Sequence, residues 1–305
     1  MKAVVLAGSR AEERRLAPSE GGNPLQAERL SRVGSRSEGG PSSMGPQECA
    51  SGQEAGSAFH GRLGAMRPSP LTPVAGIPSL VRVLRALRGT EAIDGGLLAG
   101  PEQRHGQHAG AVSNLLAAGD FEWTAPAAGP AQSALKAVQQ LDTWPILLTT
   151  GDHALLTAPT IDSFCAAAAV QNADLTVGLA PHRLVAERFP GLKRTRLRFA
   201  DGPYCGTNLF YLHNARAARA IAFWIDVQAN RKRPWRIVRR FGLRILAAYA
   251  CERLSVDGAL ATASRLTDCS IGWVGVLDPV AAIDVDSAAD LEVAERILRC
   301  RSRSC

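Results

Sequence analysis

The stretch Pro145-Ile146-Leu147-Leu148-Thr149-Thr150-Gly151-Asp152-His153 decides the fold. Apolar and β-branched residues run without a break from Ile146 to Thr150, behind a proline. A half-exposed strand would alternate in polarity; an unbroken run fits a central strand of a parallel sheet, covered on both faces. Gly151 then lets the backbone turn, which leaves Asp152 at the carboxyl end of the strand. In open α/β sheets, ligands bind in the crevice beyond the carboxyl ends of the strands. An acid there is either a turn former or a ligand for whatever the crevice holds, and this stretch alone leaves both readings open.

Working outward, strand-like and helix-like segments alternate. Residues 2–7 (KAVVLA) read as a first strand, 95–100 (GGLLAG) as a weak second and 121–124 as a short third. Beyond the central strand, 174–180, 194–200, 205–212 and 270–277 read as strands, and 281–285 as a short strand-like run. Helical spacing of apolar residues is seen at 79–88, 110–118, up to 141 behind the Gly129-Pro130 entry, and at 158–171, 214–228, 235–249, 255–266 and 287–299. Asp201-Gly202 is a hairpin signal, which adds an antiparallel pair. The pattern predicts an α/β class with a mostly parallel mixed sheet flanked by helices. Residues 11–68 break it: rich in Gly, Ser, Pro, Glu and Arg and poor in large apolar residues, they cannot bury enough surface to offset their ordering entropy. They read as a long disordered insertion within a single domain of residues 1–299, with 214–266 a helical, basic subregion and 300–305 a tail.

The chain has 305 residues, 46% hydrophobic and 21% charged, which is ample for a core. Its seven cysteines are odd in number, scattered and without a C-x-x-C pair, which argues against a disulfide framework or a structural zinc site. Residues 3–7 are too short an apolar run for a signal-peptide core, so a cytoplasmic location is expected. The net charge of +7 is concentrated: residues 183–253 hold sixteen Lys and Arg against four acids. Such a segment faces an anionic surface or ligand. Within it, 231–246 forms a basic amphipathic stretch opened by Trp235, which reads either as a peripheral membrane contact or as a solvated helix face packed on the core. No nucleic-acid-binding module is recognisable, and few aromatic residues interleave the charges, so nucleic acid is not expected as a partner.

Three features converge on chemistry. Gly8-Ser9-Arg10 follows the first strand at once, the way backbone N–H groups and a planar guanidinium are offered to an anion. Asp152 ends the central strand, and Asp284-Val285-Asp286 precedes the last helix. Two carboxylates from distant segments are what Mg²⁺ needs when it also holds substrate phosphates.

The runs K-A-V-V-L-A-G-S-R, L-T-P-V-A-G-I-P-S-L, I-L-L-T-T-G-D-H, G-T-N-L-F and D-V-D-S-A-A-D-L-E, in that order, resemble the MobA-like NTP transferases, nucleotidyltransferases of GT-A-type (Rossmann-related) fold. The resemblance covers residues 1–10 and about 71–299. It implies that Ala7, Gly8, Ser9 and Arg10 hold the NTP phosphates, with Arg10 catalytic, and that Gly129 and Ser133 lie along base and ribose. It implies that Asp152 is catalytic and the first metal-binding acid, that Asp284 is the second with Asp286 as its competitor, and that Gly206, Thr207 and Asn208 line the acceptor pocket. The implied reaction is Mg²⁺-dependent transfer of NMP from an NTP to a phosphorylated small-molecule or lipid-linked acceptor, with release of pyrophosphate. One departure stands out. The family carries a lysine just before L-x-P-V-x-G, whereas this chain has Met66-Arg67-Pro68-Ser69-Pro70. The alternatives are a GT-A glycosyltransferase using a nucleotide sugar and a catalytically impaired nucleotide-binding relic.

Overall fold

The computed structural model describes residues 1–8, 69–101, 109–230 and 241–303. These lie in one of the chain's two units, Met1–Leu16 with Arg67–Cys305; the other, Ala17–Met66, falls outside the described residues, as does the whole expected insertion, 11–68. In chain order the elements are β1 (Lys2–Leu6), β2 (Pro73–Val74), β3 (Ile77–Pro78), α1 (Ser79–Arg88), β4 (Gly96–Ala99), α2 (Ala109–Ala117), β5 (Phe121–Thr124), α3 (Pro130–Leu141), β6 (Ile146–Thr150) and α4 (Ala158–Ala169). There follow β7 (Leu175–Pro181), α5 (His182–Arg188), β8 (Leu197–Phe199), β9 (Gly202–Leu212), α6 (Ala217–Ala229), α7 (Leu243–Ala250), α8 (Val256–Thr267), β10 (Ile271–Gly275), a 3₁₀ turn (Pro279–Ala282) and α9 (Ala288–Arg303).

The main sheet runs β10-β7-β9-β6-β1-β4-β5, with β8 paired to β9. The pairs β6–β1, β1–β4, β4–β5 and β10–β7 are parallel, while β9 runs antiparallel to both β6 and β7. The fold class is therefore the expected one. The physical reason is visible in β6: Ile146 and Leu148 pack with α3 and α6, and Leu147 packs on the other face with α1 and α4. A strand covered on both sides needs no polar face. In α1 the buried positions Leu80, Val81, Val83, Leu84 and Leu87 form one helical stripe. Fully burying each such leucine contributes about 1.5–3 kcal/mol.

One expectation changes. Residues 281–285 are not a strand: Pro279 opens a 3₁₀ turn in which the Asp278 side chain accepts the Val280 N–H, and Ile283 returns to extended backbone. Proline at the first position favours a turn over a ladder that needs its missing N–H. The helix α5 and the small β2–β3 hairpin do not stand out in the pattern, because both are short. Of the basic 235–249 segment, 235–240 lie outside the described residues; α7 begins at Leu243 and buries none of its residues. No helix among the described residues is long and apolar enough to cross a membrane.

Candidate active site

Strand order reverses at β1: β4 and β5 follow on one side and β6 lies on the other. The carboxyl ends of β1 and β6 therefore frame the topological switch point, where α/β sheets open a crevice. The two ends are tied together, since Gly151 N–H donates to the Leu6 carbonyl at 2.7 Å. A Cβ at Gly151 would lie 3.0 Å from Leu80 Cδ1, 3.2 Å from Ala7 Cβ and 3.3 Å from Pro70 Cβ. A glycine fits there without displacing a neighbour, so the turn that presents Asp152 is favoured by packing.

Beyond that turn, the β6–α4 loop is pinned by a segment more than a hundred residues away in sequence. Val285 N–H donates to the Asp152 carbonyl at 3.0 Å, His153 Nε2–H donates to the Ala281 carbonyl at 2.7 Å, and Thr160 Oγ1 donates to Asp278 Oδ2 at 2.7 Å. These contacts bring Asp284 beside Asp152. The segments that carry the two acids named from the sequence are thus joined backbone to backbone at the carboxyl end of β6. Asp152 Oδ1 is buried and has no hydrogen-bond partner. A carboxylate oxygen held out of water without a donor is costly unless a cation or ligand satisfies it.

His153 is buried, and burial pushes its imidazole down to about 4, outweighing the hydrogen bond to Ala281. With Nε2–H facing a carbonyl the ring is neutral, and Nδ1 carries the unpartnered lone pair. Its role is to fix the loop rather than to cap the following turn. A pH dependence follows. In the unfolded chain the ring takes up a proton near its ordinary value of 6.5, while the folded protein does not until about 4. Between these values protonation favours unfolding, so stability is full above 6.5 and falls as pH drops towards 4, by on the order of 3 kcal/mol at most. Urea midpoints for the parent and His153→Gln are expected to converge as pH falls through this window. A His153→Gln curve parallel to the parent's would show that this ring does not set the slope.

Asp284 is held from two sides. Arg194, in the loop after α5, ion-pairs with its carboxylate and donates to its carbonyl at 3.4 Å. Asn208 Nδ2 donates to Asp284 Oδ2 at 3.3 Å. Asn208 can reach because β9 bulges: Val177 opposes Phe210 but Leu179 opposes Gly206, so β9 carries extra residues between the two pairs. Asn208 sits in that bulge with φ 51°. A bulge re-aims one side chain, and Asn tolerates the left-handed region better than most residues. Thr207 faces the other way, 1% exposed, donating its hydroxyl to the Gly178 carbonyl at 2.9 Å. It braces the bulge and does not face the crevice, whereas Gly206 beside it is exposed.

On the other side of the switch point, Ala7 is buried and donates its N–H to the Ala99 carbonyl at 2.9 Å. Gly8 follows, approached by Gly100 so closely that a Cβ there would lie 3.1 Å from the Gly8 nitrogen. Ser9, Arg10 and Arg67 lie outside the described residues. Gly129 stands at the start of α3, at the same carboxyl edge of the sheet. Ser133 is buried and its Oγ accepts the Ala127 N–H at 2.9 Å, which braces the 125–129 loop. Asp290, buried in the first turn of α9, forms a reciprocal cap with Ser287: the Ser287 hydroxyl donates to Asp290 Oδ2 at 2.6 Å and the Asp290 N–H donates to Ser287 Oγ at 3.3 Å.

Residues 60–249 match the family model described as the MobA-like NTP transferase domain. The chain belongs to that family. The match takes in Gly129, Ser133, Asp152 and Gly206–Asn208, while Gly8 and Asp284 lie outside it. Among solved structures, a hypothetical transferase from Thermus thermophilus shares the fold, with a TM-score of 0.64 and 23% identity over 95% of this chain and 98% of that one. More distant are a 2-C-methyl-D-erythritol 4-phosphate cytidylyltransferase, also from Thermus thermophilus (TM-score 0.45, 16% identity, 76% of this chain and 94% of that), and a CMP:2-keto-3-deoxy-manno-octonic acid synthetase complexed with CTP (0.48, 11%, 78% and 95%). No curated protein sequence matches. What the geometry adds to membership of this NTP transferase family is the backbone bond that ties the Asp284 segment to Asp152, with Arg194 and Asn208 both engaging the Asp284 carboxylate.

Proposed function

We propose that the chain is a Mg²⁺-dependent nucleotidyltransferase that moves NMP from an NTP to a phosphorylated acceptor and releases pyrophosphate. The observation that carries this is the Val285 N–H to Asp152 C=O bond of 3.0 Å, which sets Asp284 beside Asp152 at the mouth of the sheet. The donor set fits the ion. Asp152 offers a buried oxygen with no partner, and a hard cation that keeps substrate phosphates in its shell needs only one or two carboxylates. Bound there, Mg²⁺ supplies charge neutralisation to the phosphates.

The chain's own residues do the rest. Gly8, just after β1, offers backbone to the phosphates, and Asn208 orients the Asp284 carboxylate. The acceptor's phosphate oxygen attacks the α-phosphorus, the bond from that phosphorus to the β-phosphate bridging oxygen breaks, and pyrophosphate leaves with the electron pair. No protein nucleophile is needed; positioning and charge carry the step.

The test is pyrophosphate release from each of the four NTPs with Mg²⁺ and a panel of phosphorylated acceptors. Release with one pairing supports the reading. A free nucleoside diphosphate and a glycosylated acceptor from a nucleotide sugar would replace it with the glycosyltransferase reading. NTP binding without turnover on any acceptor would point to the impaired relic.

A further inference from the structure

Arg194 stands where an anion-seeking cation is least expected, on one of the two acids that the proposed function reserves for a metal. Its guanidinium pairs with Asp284 and also lies 3.6 Å from Asp290 Oδ1. The three side chains are 14%, 15% and 7% exposed, so none can exchange its partner for bulk water cheaply. The arrangement nevertheless contains one exchange that leaves no buried charge bare. Asp284 could trade the guanidinium for an incoming cation while keeping Asn208 on Oδ2. Arg194 could in turn settle on Asp290, whose Oδ2 is engaged by Ser287 while Oδ1 already faces the guanidinium at long range.

We infer that Arg194 is a charge latch on the acid pair: it holds Asp284 in the protein without ligand and passes to Asp290 when a divalent cation enters. The inference rests on the metal site of the proposed function. Arg194 is a positioning residue here, competing with the cation for one carboxylate. An arginine suits that task because its planar fork of donors can face two carboxylates at once. The consequence is weak binding of a bare divalent ion. Binding becomes favourable when nucleotide phosphates arrive with the ion, so the latch couples metal binding to substrate binding.

The test titrates Mn²⁺ alone, without nucleotide, into the full-length parent and its variants, reading free Mn²⁺ by electron paramagnetic resonance. Arg194→Gln is expected to bind Mn²⁺ on the order of tenfold more tightly than the parent, since it removes a competing charge at contact distance. Asp290→Asn, which keeps an oxygen for Ser287, is expected to bind more weakly, because the guanidinium then has only Asp284. Should Arg194→Gln fail to fold by circular dichroism, Arg194→Lys decides, with tighter binding expected from a charge that has lost its planar fork. Equal or weaker binding by Arg194→Gln, while the parent binds Mn²⁺ together with an NTP, overturns the latch and leaves the metal site standing. Absence of Mn²⁺ binding in every protein, with and without NTP, overturns both.

Discussion

Asp152→Asn is expected to lower pyrophosphate release by about 10²–10³-fold, the range seen when one preorganised electrostatic contact to the reacting groups is lost. The same substitution is expected to leave the melting temperature unchanged or slightly raised. Asp152 Oδ1 is buried with no donor, so the carboxylate stabilises nothing that the folded chain supplies. Its backbone carbonyl, which accepts from Val285 and Ala154 at 3.0 Å each, is untouched by the change. Neutralising a carboxylate that keeps one buried oxygen without a donor removes part of a cost, and a group that destabilises the fold while serving the reaction is the usual compromise at an active site. Asp284→Asn should behave differently. It takes away one of the two carboxylates around Arg194, so it should lose stability as well as activity. A variant Asp152→Asn that melts several degrees lower yet turns over normally would reverse the assignment, making Asp152 a structural acid.

The parts of this site that could be read in the sequence are those that follow from strand periodicity. The unbroken apolar run of β6 can only be a strand covered on both faces, and an acid after its last residue must then stand at the sheet's carboxyl edge. The pairing of Asp152 with Asp284 was readable as a coincidence of types, two acids at ends of elements, and the cross-chain bond through Val285 gives it a geometry. Arg194 was not readable. It is one of sixteen basic residues in a segment whose bulk charge masks any single member, and only the fold selects it. Asn208 was named among the acceptor residues, but its aim at Asp284 depends on a bulge and a left-handed φ of 51°, which periodicity cannot signal. Thr207, its neighbour in the same run, is used up inside the sheet for the same reason: a bulge sends adjacent side chains in unrelated directions.

Gly96→Ala is expected to cost more stability than an added core methyl ordinarily does. Gly96 opposes Ala3 in the parallel β1–β4 pair. A Cβ on it would collide with the Ala3 carbonyl oxygen and fall 2.7 Å from both the Ala3 carbonyl carbon and nitrogen. Those are backbone atoms, and β1 cannot retreat from them, because Ala3 is also in register with Leu147 on its other side. The cost should therefore exceed the roughly 1–3 kcal/mol typical of overpacking that side chains can absorb. For a chain of this size that corresponds to a drop in melting temperature of roughly 10 °C. Gly110→Ala is the matched control, since its added methyl meets nothing within 4 Å on the exposed side of α2. In the first turn of α2 it should be neutral or stabilising by a few tenths of a kcal/mol. The comparison reaches the active site as well. β1 delivers Ala7 and Gly8 to the switch point, so a Gly96→Ala protein that is still folded should lose NTP affinity along with stability. A melting temperature within a degree or two of the parent's would mean that β1 and β4 do not pair in this register, and the close approach of Gly100 to Gly8 would fall with it.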